Sequence, residues 1–225
     1  MNASALIVAA GRGHRMSGHL PKQYLQLGGQ SILRHTVEAF LGCSALRRLV
    51  TVIHPDDRAL YAEALAGVED QRVMAPVFGG DSRSASVRNG LQALADDPPD
   101  KVLIHDAARP FCDLEVIEDV LTALDHTDGA FAAVPVVDAL WRAADGQAQS
   151  SVSRDGMWRA QTPQGFQFAA ILDAHRAATG EATDDVAVAR AAGLTVQIVE
   201  GREANFKITT PEDLTRAELW LAQRG

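Results

Sequence analysis

Residues 6–16 read Leu6-Ile7-Val8-Ala9-Ala10-Gly11-Arg12-Gly13-His14-Arg15-Met16. The first five are apolar without interruption, and a glycine follows at once. A short unbroken apolar run ending in a turn signal predicts a strand buried on both faces, the kind found in parallel sheets covered by helices. The glycines and cations then fall at the carboxyl end of that strand, which is where open parallel sheets bind ligands.

The rest of the chain repeats the alternation. Ile32, Leu33, Val37, Phe40 and Leu41 recur at helical spacing. Strands are expected over 49–53, 72–77, 102–104 and 130–137, with helices over 59–66, 85–94 and near 114–124. Strands separated by helices require crossover connections, so the fold class is α/β with a mainly parallel sheet flanked by helices. After Val137 the pattern breaks. The segment at about 138–158 is polar and centred on Asp145-Gly146, a hairpin signal, and reads as a β-arm leaving the sheet. Helices over 168–178 and 186–192, a strand over 195–199, and a last helix starting at Pro211 behind the capping residue Thr210 complete a single domain spanning residues 1–225.

The formal net charge is −8, the apolar fraction 47% and the charged fraction 22%, which describes a soluble globular chain without the basic face a nucleic-acid coat needs. No apolar run approaches a membrane span, and the first ten residues carry no charged leader pattern. Cys43 and Cys112 stand apart from each other and from any histidine cluster, which disfavours zinc and suits reduced thiols in the cytoplasm. No nucleic-acid or membrane partner is expected.

An acidic chain with Arg12, Arg15 and Lys22 clustered after its first strand raises a question of purpose. The loop is not a GxxxxGK[ST] phosphate loop, because Met16 and Ser17 replace Gly-Lys. It is not a GxGxxG dinucleotide turn either, because Met16 takes the third glycine's place. A plain solvated turn would account for it; so would a loop whose backbone N–H groups and cations wrap a triphosphate. Pro21 fixes the backbone before Lys22, and a lysine is suited to sit as a point charge beside a developing oxyanion. Asp106, after the fourth strand, stands at the edge where it either caps the next helix or holds a divalent ion with phosphate oxygens, and Arg109 beside it is a second anion clamp. Gly79-Gly80 admits the close approach of a planar base, with Asp81 and Ser86 supplying polar groups.

Ala9-Ala10-Gly11-x-Gly13-x-x-Met16, Pro21-Lys22-Gln23-Tyr24, Gly79-Gly80-x-x-Arg83-x-x-Ser86-Val87, His105-Asp106-Ala107-Ala108-Arg109-Pro110, Thr162-Pro163-Gln164, Thr183-Asp184-Asp185 and Asn205-Phe206-Lys207-Ile208-Thr209 occur in that order. Together they resemble the 2-C-methyl-D-erythritol 4-phosphate cytidylyltransferases of the non-mevalonate isoprenoid pathway. The resemblance implies a Rossmann-like nucleotidyltransferase sheet with a protruding β-arm for dimerisation. It implies attack of the methylerythritol phosphate on the α-phosphorus of CTP, loss of pyrophosphate, and assistance by Mg2+. By matching position, Arg15, Lys22 and Lys207 would be catalytic. Ala9, Ala10, Gly11, Gly80, Asp81, Ser86, Asp106 and Ala107 would bind CTP, with Asp106 also the metal ligand. Arg109, Arg154, Thr162 and Thr183 would bind methylerythritol phosphate, with Arg154 delivered across a homodimer whose active sites are shared. Trp141 and Trp158 in the arm are read as packing or dimer contacts, and His105 as a packed strand end rather than a base. Ala139 stands where such proteins carry a threonine, which bears on the acceptor. A ribitol-5-phosphate cytidylyltransferase shares most nucleotide-side motifs, but Ala107-Ala108 and Thr162-Pro163-Gln164 fit the isoprenoid family better. A non-catalytic nucleotide sensor on the same fold would have no use for both Lys22 and Lys207.

Overall fold

The first strand, β1 (Ala3–Ala9), is buried along almost its whole length. Alternate residues point to opposite faces, so Ala5, Ile7 and Ala9 join one apolar cluster and Leu6 the other. A strand packed on both sides has to lie in the middle of a sheet. The computed structural model describes residues 2–12, 20–180 and 182–223, and in it β1 pairs in parallel with β4 (Leu46–Ile53) on one side and β6 (Lys101–Asp106) on the other. Arg15, and with it the loop from Gly13 to His19, lies outside the described residues.

Between β1 and β4 come the two-residue strands β2 (Gln26–Leu27) and β3 (Gln30–Ser31) and helix α1 (Ile32–Leu41). Helix α2 (Arg58–Ala64) leads to β5 (Val77–Phe78), and α3 (Arg83–Ala93) leads to β6. Then follow α4 (Leu114–Ala123), β7 (Gly129–Pro135), the arm strands β8 (Leu140–Ala144) and β9 (Gln147–Val152), β10 (Trp158–Gln167), α5 (Phe168–Ala177), α6 (Asp185–Ala191), β11 (Val196–Glu200) and α7 (Pro211–Ala222). The central sheet has seven strands in the order β11-β7-β10-β6-β1-β4-β5. Helices α1, α2 and α4 cover one face and α3, α5 and α6 the other, so each face buries its own apolar cluster.

Two features depart from the expectation. Over 72–77 no continuous strand forms. Val73 makes an isolated parallel bridge to Leu49, and pairing with β4 resumes only at Val77. Pro76 has no N–H to give the ladder and interrupts it. The second is β10, an antiparallel strand inserted between β6 and β7 in an otherwise parallel sheet. Its pairing with β7 slips between Ala160 and Gln164, around Pro163, so the proline is tolerated at an irregularity.

A hairpin forms at the expected turn, but Trp158, expected in the arm, instead begins β10 and pairs with Pro135 of β7. Strands β8 and β9 pair antiparallel, and Asp145 and Gly146 both have positive φ, at 49° and 76°. Two successive positive φ values make the turn whose twist suits a two-residue hairpin. Helix α7 begins at Pro211 with a complete capping box: the Thr210 hydroxyl accepts the Asp213 N–H, and the Asp213 carboxylate accepts the Thr210 N–H. This cap anchors the stretch 207–209 just ahead of it.

Candidate active site

The carboxyl ends of β1 and β6 and the amino end of α3 surround a cavity of about 470 Å³. That is the size of a small-molecule site. Its floor is made by backbone. Gly79 lies so close to Ala10 and Ser86 that a Cβ there would come within 2.6 Å of both. Only glycine allows the loop after β5 to lie against the loop after β1. The Ser86 hydroxyl closes the turn, accepting the Gly80 N–H at 3.1 Å and donating to the Ser82 carbonyl at 2.9 Å. Asp81 stands exposed beside it.

Buried Gln23 braces the first loop from inside: its Nε2 donates to the carbonyls of Ala9, at 2.6 Å, and Gly11, at 3.2 Å. The sequence placed Gln23 in a motif without a role. Next to it, Lys22 Nζ donates to the carbonyl of Ile208 at 2.9 Å. Ile208 N–H in turn donates to Ala108 O at 2.9 Å. Two lysines from opposite ends of the chain, Lys22 and Lys207, are thereby brought to one wall.

Asp106 is the electrostatic centre. Lys207 Nζ is 2.9 Å from its Oδ2, Arg109 Nε 3.5 Å from the same oxygen, and Arg83 Nε 3.8 Å from Oδ1. Burial by itself would raise the pKa of this carboxyl. Lys207, Arg83 and Arg109 outweigh burial and hold it far below the ordinary carboxylate range. Three cations thus gather around one carboxylate at this wall, and such side chains can also meet an anionic ligand. Arg83 is itself held from behind by buried Asp185 at 2.7 Å, and Asp185 by His175 at 3.1 Å. No periodicity in the sequence announces this chain of contacts.

His105 is enclosed within the protein. Its Nε2 is 3.0 Å from the Arg109 carbonyl, so Nε2 carries the proton and donates. Nδ1 then accepts from the Thr162 hydroxyl at 3.0 Å, and Thr162 Oγ1 accepts the Asp106 N–H at 3.1 Å. Burial pulls the His105 pKa down from 6.5 to about 4. Above pH 6.5 the imidazole is neutral in both folded and unfolded chains. Below it the unfolded chain takes up a proton that the folded one refuses, so stability is lost as pH falls from 6.5 to about 4, by about 3 kcal/mol for a shift of this size. Urea unfolding across that window should show a steeper loss for the wild type than for His105→Gln. Parallel losses would assign the acid sensitivity to other groups.

The residues expected on the nucleotide side converge: Ala9, Ala10, Gly11, Lys22, Gly80, Asp81, Ser86, Asp106, Ala107 and Lys207 all line the cavity. The acceptor-side set does not converge in the same way. Arg109 and Thr162 lie behind Asp106 with their polar groups already engaged, Arg109 also donating to the Asn205 carbonyl at 2.7 Å. Thr183 is exposed outside this cavity, and Arg154 is exposed on the arm, where it donates to the Val137 carbonyl. Arg12, one of the cations of the loop after β1, lines the cavity and is paired with Asp56 and Asp57.

Comparison with known proteins agrees with this geometry. Over 222 residues the chain is 54% identical to a protein of Cereibacter sphaeroides called 2-C-methyl-D-erythritol 4-phosphate cytidylyltransferase, covering 99% of this chain and 98% of that one. The crystal structure of the Thermus thermophilus protein of the same name superposes with a TM-score of 0.78 at 35% identity, covering 99% of this chain and 100% of the other. A 4-diphosphocytidyl-2C-methyl-D-erythritol synthase structure from Anaerococcus prevotii gives a TM-score of 0.85 at 28% identity over 98% of both chains. The family description "IspD: 2-C-methyl-D-erythritol 4-phosphate cytidylyltransferase" matches residues 3–223. With the seven motifs in order, the cavity they build and these matches end to end, the chain belongs to the 2-C-methyl-D-erythritol 4-phosphate cytidylyltransferase family.

Proposed function

We propose that this protein transfers a cytidylyl group from CTP to 2-C-methyl-D-erythritol 4-phosphate, giving 4-diphosphocytidyl-2-C-methyl-D-erythritol and pyrophosphate. The observation that carries the reading is the meeting of Lys22 and Lys207 at the cavity wall, with Lys207 on Asp106 and Lys22 on the residue next to Lys207. CTP lies with its base toward Gly80, Asp81 and Ser86 and its phosphates along Ala9–Gly11. An oxygen of the acceptor phosphate forms a bond to the α-phosphorus as the bond from that phosphorus to the bridging oxygen of pyrophosphate breaks. The attacking phosphate is already ionised near neutral pH, so no general base is needed. What the protein supplies is position and positive charge where negative charge grows. Lys207 reaches the α-phosphate. Lys22 faces the phosphates that depart, and the family resemblance gives Arg15 a role in stabilising their charge.

A Mg2+ ion arriving with the triphosphate would share Asp106 with Lys207, Arg109 and Arg83, which face its two oxygens. Among the described residues no three carboxylate, imidazole or thiolate groups gather into a cage. Mg2+ is satisfied by one or two carboxylates and phosphate oxygens, and Asp106 would be that carboxylate. When bound, the ion neutralises charge on the triphosphate.

The acceptor site is completed by a second copy. Trp141 on the arm and Val137 at its base are 61% and 63% exposed, and an isolated hairpin is marginal in water. A homodimer with crossed arms covers these side chains and brings Arg154 to the other chain's cavity, with Arg109, Thr162 and Thr183 on the acceptor side. Both cysteines are free and buried, which suits a reducing cytoplasm, and no described helix is long and apolar enough to cross a membrane.

Initial rates of pyrophosphate release test the substrate pair. A site built to read cytosine leaves its own polar groups unpaired with another base. CTP with methylerythritol phosphate should therefore exceed UTP, ATP or GTP, and exceed CTP with ribitol 5-phosphate, by at least about a hundredfold in kcat/KM. Comparable rates with ATP would refute the base assignment, and faster turnover of ribitol 5-phosphate would refute the acceptor.

A further inference from the structure

Arg12 lines the nucleotide cavity, yet its guanidinium is spent on the turn that follows β4. One nitrogen donates to Asp57 Oδ1 at 2.9 Å. The other reaches Asp56 Oδ2 at 3.0 Å and His54 Nδ1 at 2.6 Å. Arginine has only donors, so His54 accepts at Nδ1. The three acceptors differ in kind. The Asp56 side chain is 78% exposed, whereas that of Asp57 is 2% exposed and its second oxygen has no hydrogen-bond partner among the described residues. Arg12 is thus the ion-pair partner of a buried carboxylate. Removing one member of such a pair leaves the other charge uncompensated, which opposes any swing of Arg12 toward a phosphate. Gln23 separately holds the carbonyls of Ala9 and Gly11. The backbone that faces the phosphates is therefore held at two points, by Gln23 at Ala9 and Gly11 and by the Arg12–Asp57 pair at the next residue.

We infer that Arg12 is a positioning residue. Pinned to Asp57, it sets the backbone of the phosphate-facing loop for CTP and makes no contact with the triphosphate itself. The inference rests on the assignment of the cavity to CTP, and the test separates the two. CTP affinity is measured by calorimetry for the wild type, Arg12→Gln, Asp57→Asn and the double variant. Arg12→Gln removes the pin, whereas Asp57→Asn removes only its buried charge and leaves Arg12 with Asp56 and His54, so Arg12→Gln should weaken CTP about tenfold, Asp57→Asn severalfold, and the double variant no more than Arg12→Gln alone, rather than the product that independent contacts give. With saturating CTP, kcat should stay within about twofold of wild type, since the reacting groups are intact. The salt dependence of CTP binding should keep the wild-type slope in Arg12→Gln, because no phosphate contact is lost. Undiminished binding by Asp57→Asn, beside weakened binding and a flattened salt slope in Arg12→Gln, would make Arg12 a phosphate ligand and overturn the inference. Additive losses, or no loss in Arg12→Gln, would overturn it too. If Asp57→Asn fails to fold, the salt slope of Arg12→Gln decides alone, unchanged in support or flattened against. Failure of the wild type to bind CTP would remove the cavity assignment and the inference together.

Discussion

Lys22→Ala and Lys207→Ala should each lower kcat by about a hundredfold to a thousandfold while raising the KM for CTP far less. The size follows from removing one preorganised donor from charge that develops in the transition state. The split follows because an interaction made mainly in that state appears in kcat, whereas one made equally in the bound substrate appears in KM. Neither variant should unfold the protein. In Lys207→Ala, Asp106 keeps Arg83 and Arg109 beside it. In Lys22→Ala, Ile208 keeps its own N–H bond to Ala108. Steady-state kinetics beside thermal unfolding of each variant checks both statements. A lysine whose loss raised KM alone, with kcat intact, would be a ground-state ligand and not part of the reaction.

The second large effect is restoration of activity from two inactive proteins. Arg154 sits on the arm and Lys22 at the cavity. If the dimer shares its sites, each site takes Lys22 from one chain and Arg154 from the other. In a mixed dimer of Lys22→Ala and Arg154→Ala, one site then receives both lesions and the other neither. Random exchange makes about half the dimers mixed, so about a quarter of all sites become intact under two-fold symmetry. Mixing equal amounts should raise activity from near zero toward that fraction, with exchange followed by mass labelling. Complete exchange without recovery would place Arg154 in its own chain's site or in none.

Much of the architecture can be read directly because it is local. Leu6 to Ala10 is apolar on both faces and becomes the central strand; Asp145-Gly146 becomes the arm's turn; Thr210-Pro211 becomes a capped helix start. Strand β10 escapes notice because Trp158 to Gln167 neither alternates nor runs apolar, and Pro163 argues against a strand inside a sheet. It is tolerated because the register slips there, which only the neighbouring strands reveal. The site divides in the same way. Backbone-rich loops after β1, β5 and β6 are visible as glycine and motif signals and do converge on one cavity. The partners of the cations are invisible: Arg12 with Asp57, Arg83 with Asp185, and Lys22 with Ile208 join residues 45, 102 and 186 positions apart. Periodicity reports which face a side chain occupies, whereas these pairings depend on which strands become neighbours.

The bonds made and broken are both at the α-phosphorus of CTP. This is tested most directly by following two labels in one incubation with methylerythritol phosphate and Mg2+, one at the α-phosphate and one at the γ-phosphate. The α-label should appear wholly in a cytidine diphosphate ester of methylerythritol and the γ-label wholly in pyrophosphate, in equal amounts. Appearance of the γ-label in the methylerythritol product, or as inorganic phosphate with CDP, would instead make the protein a kinase or a phosphatase.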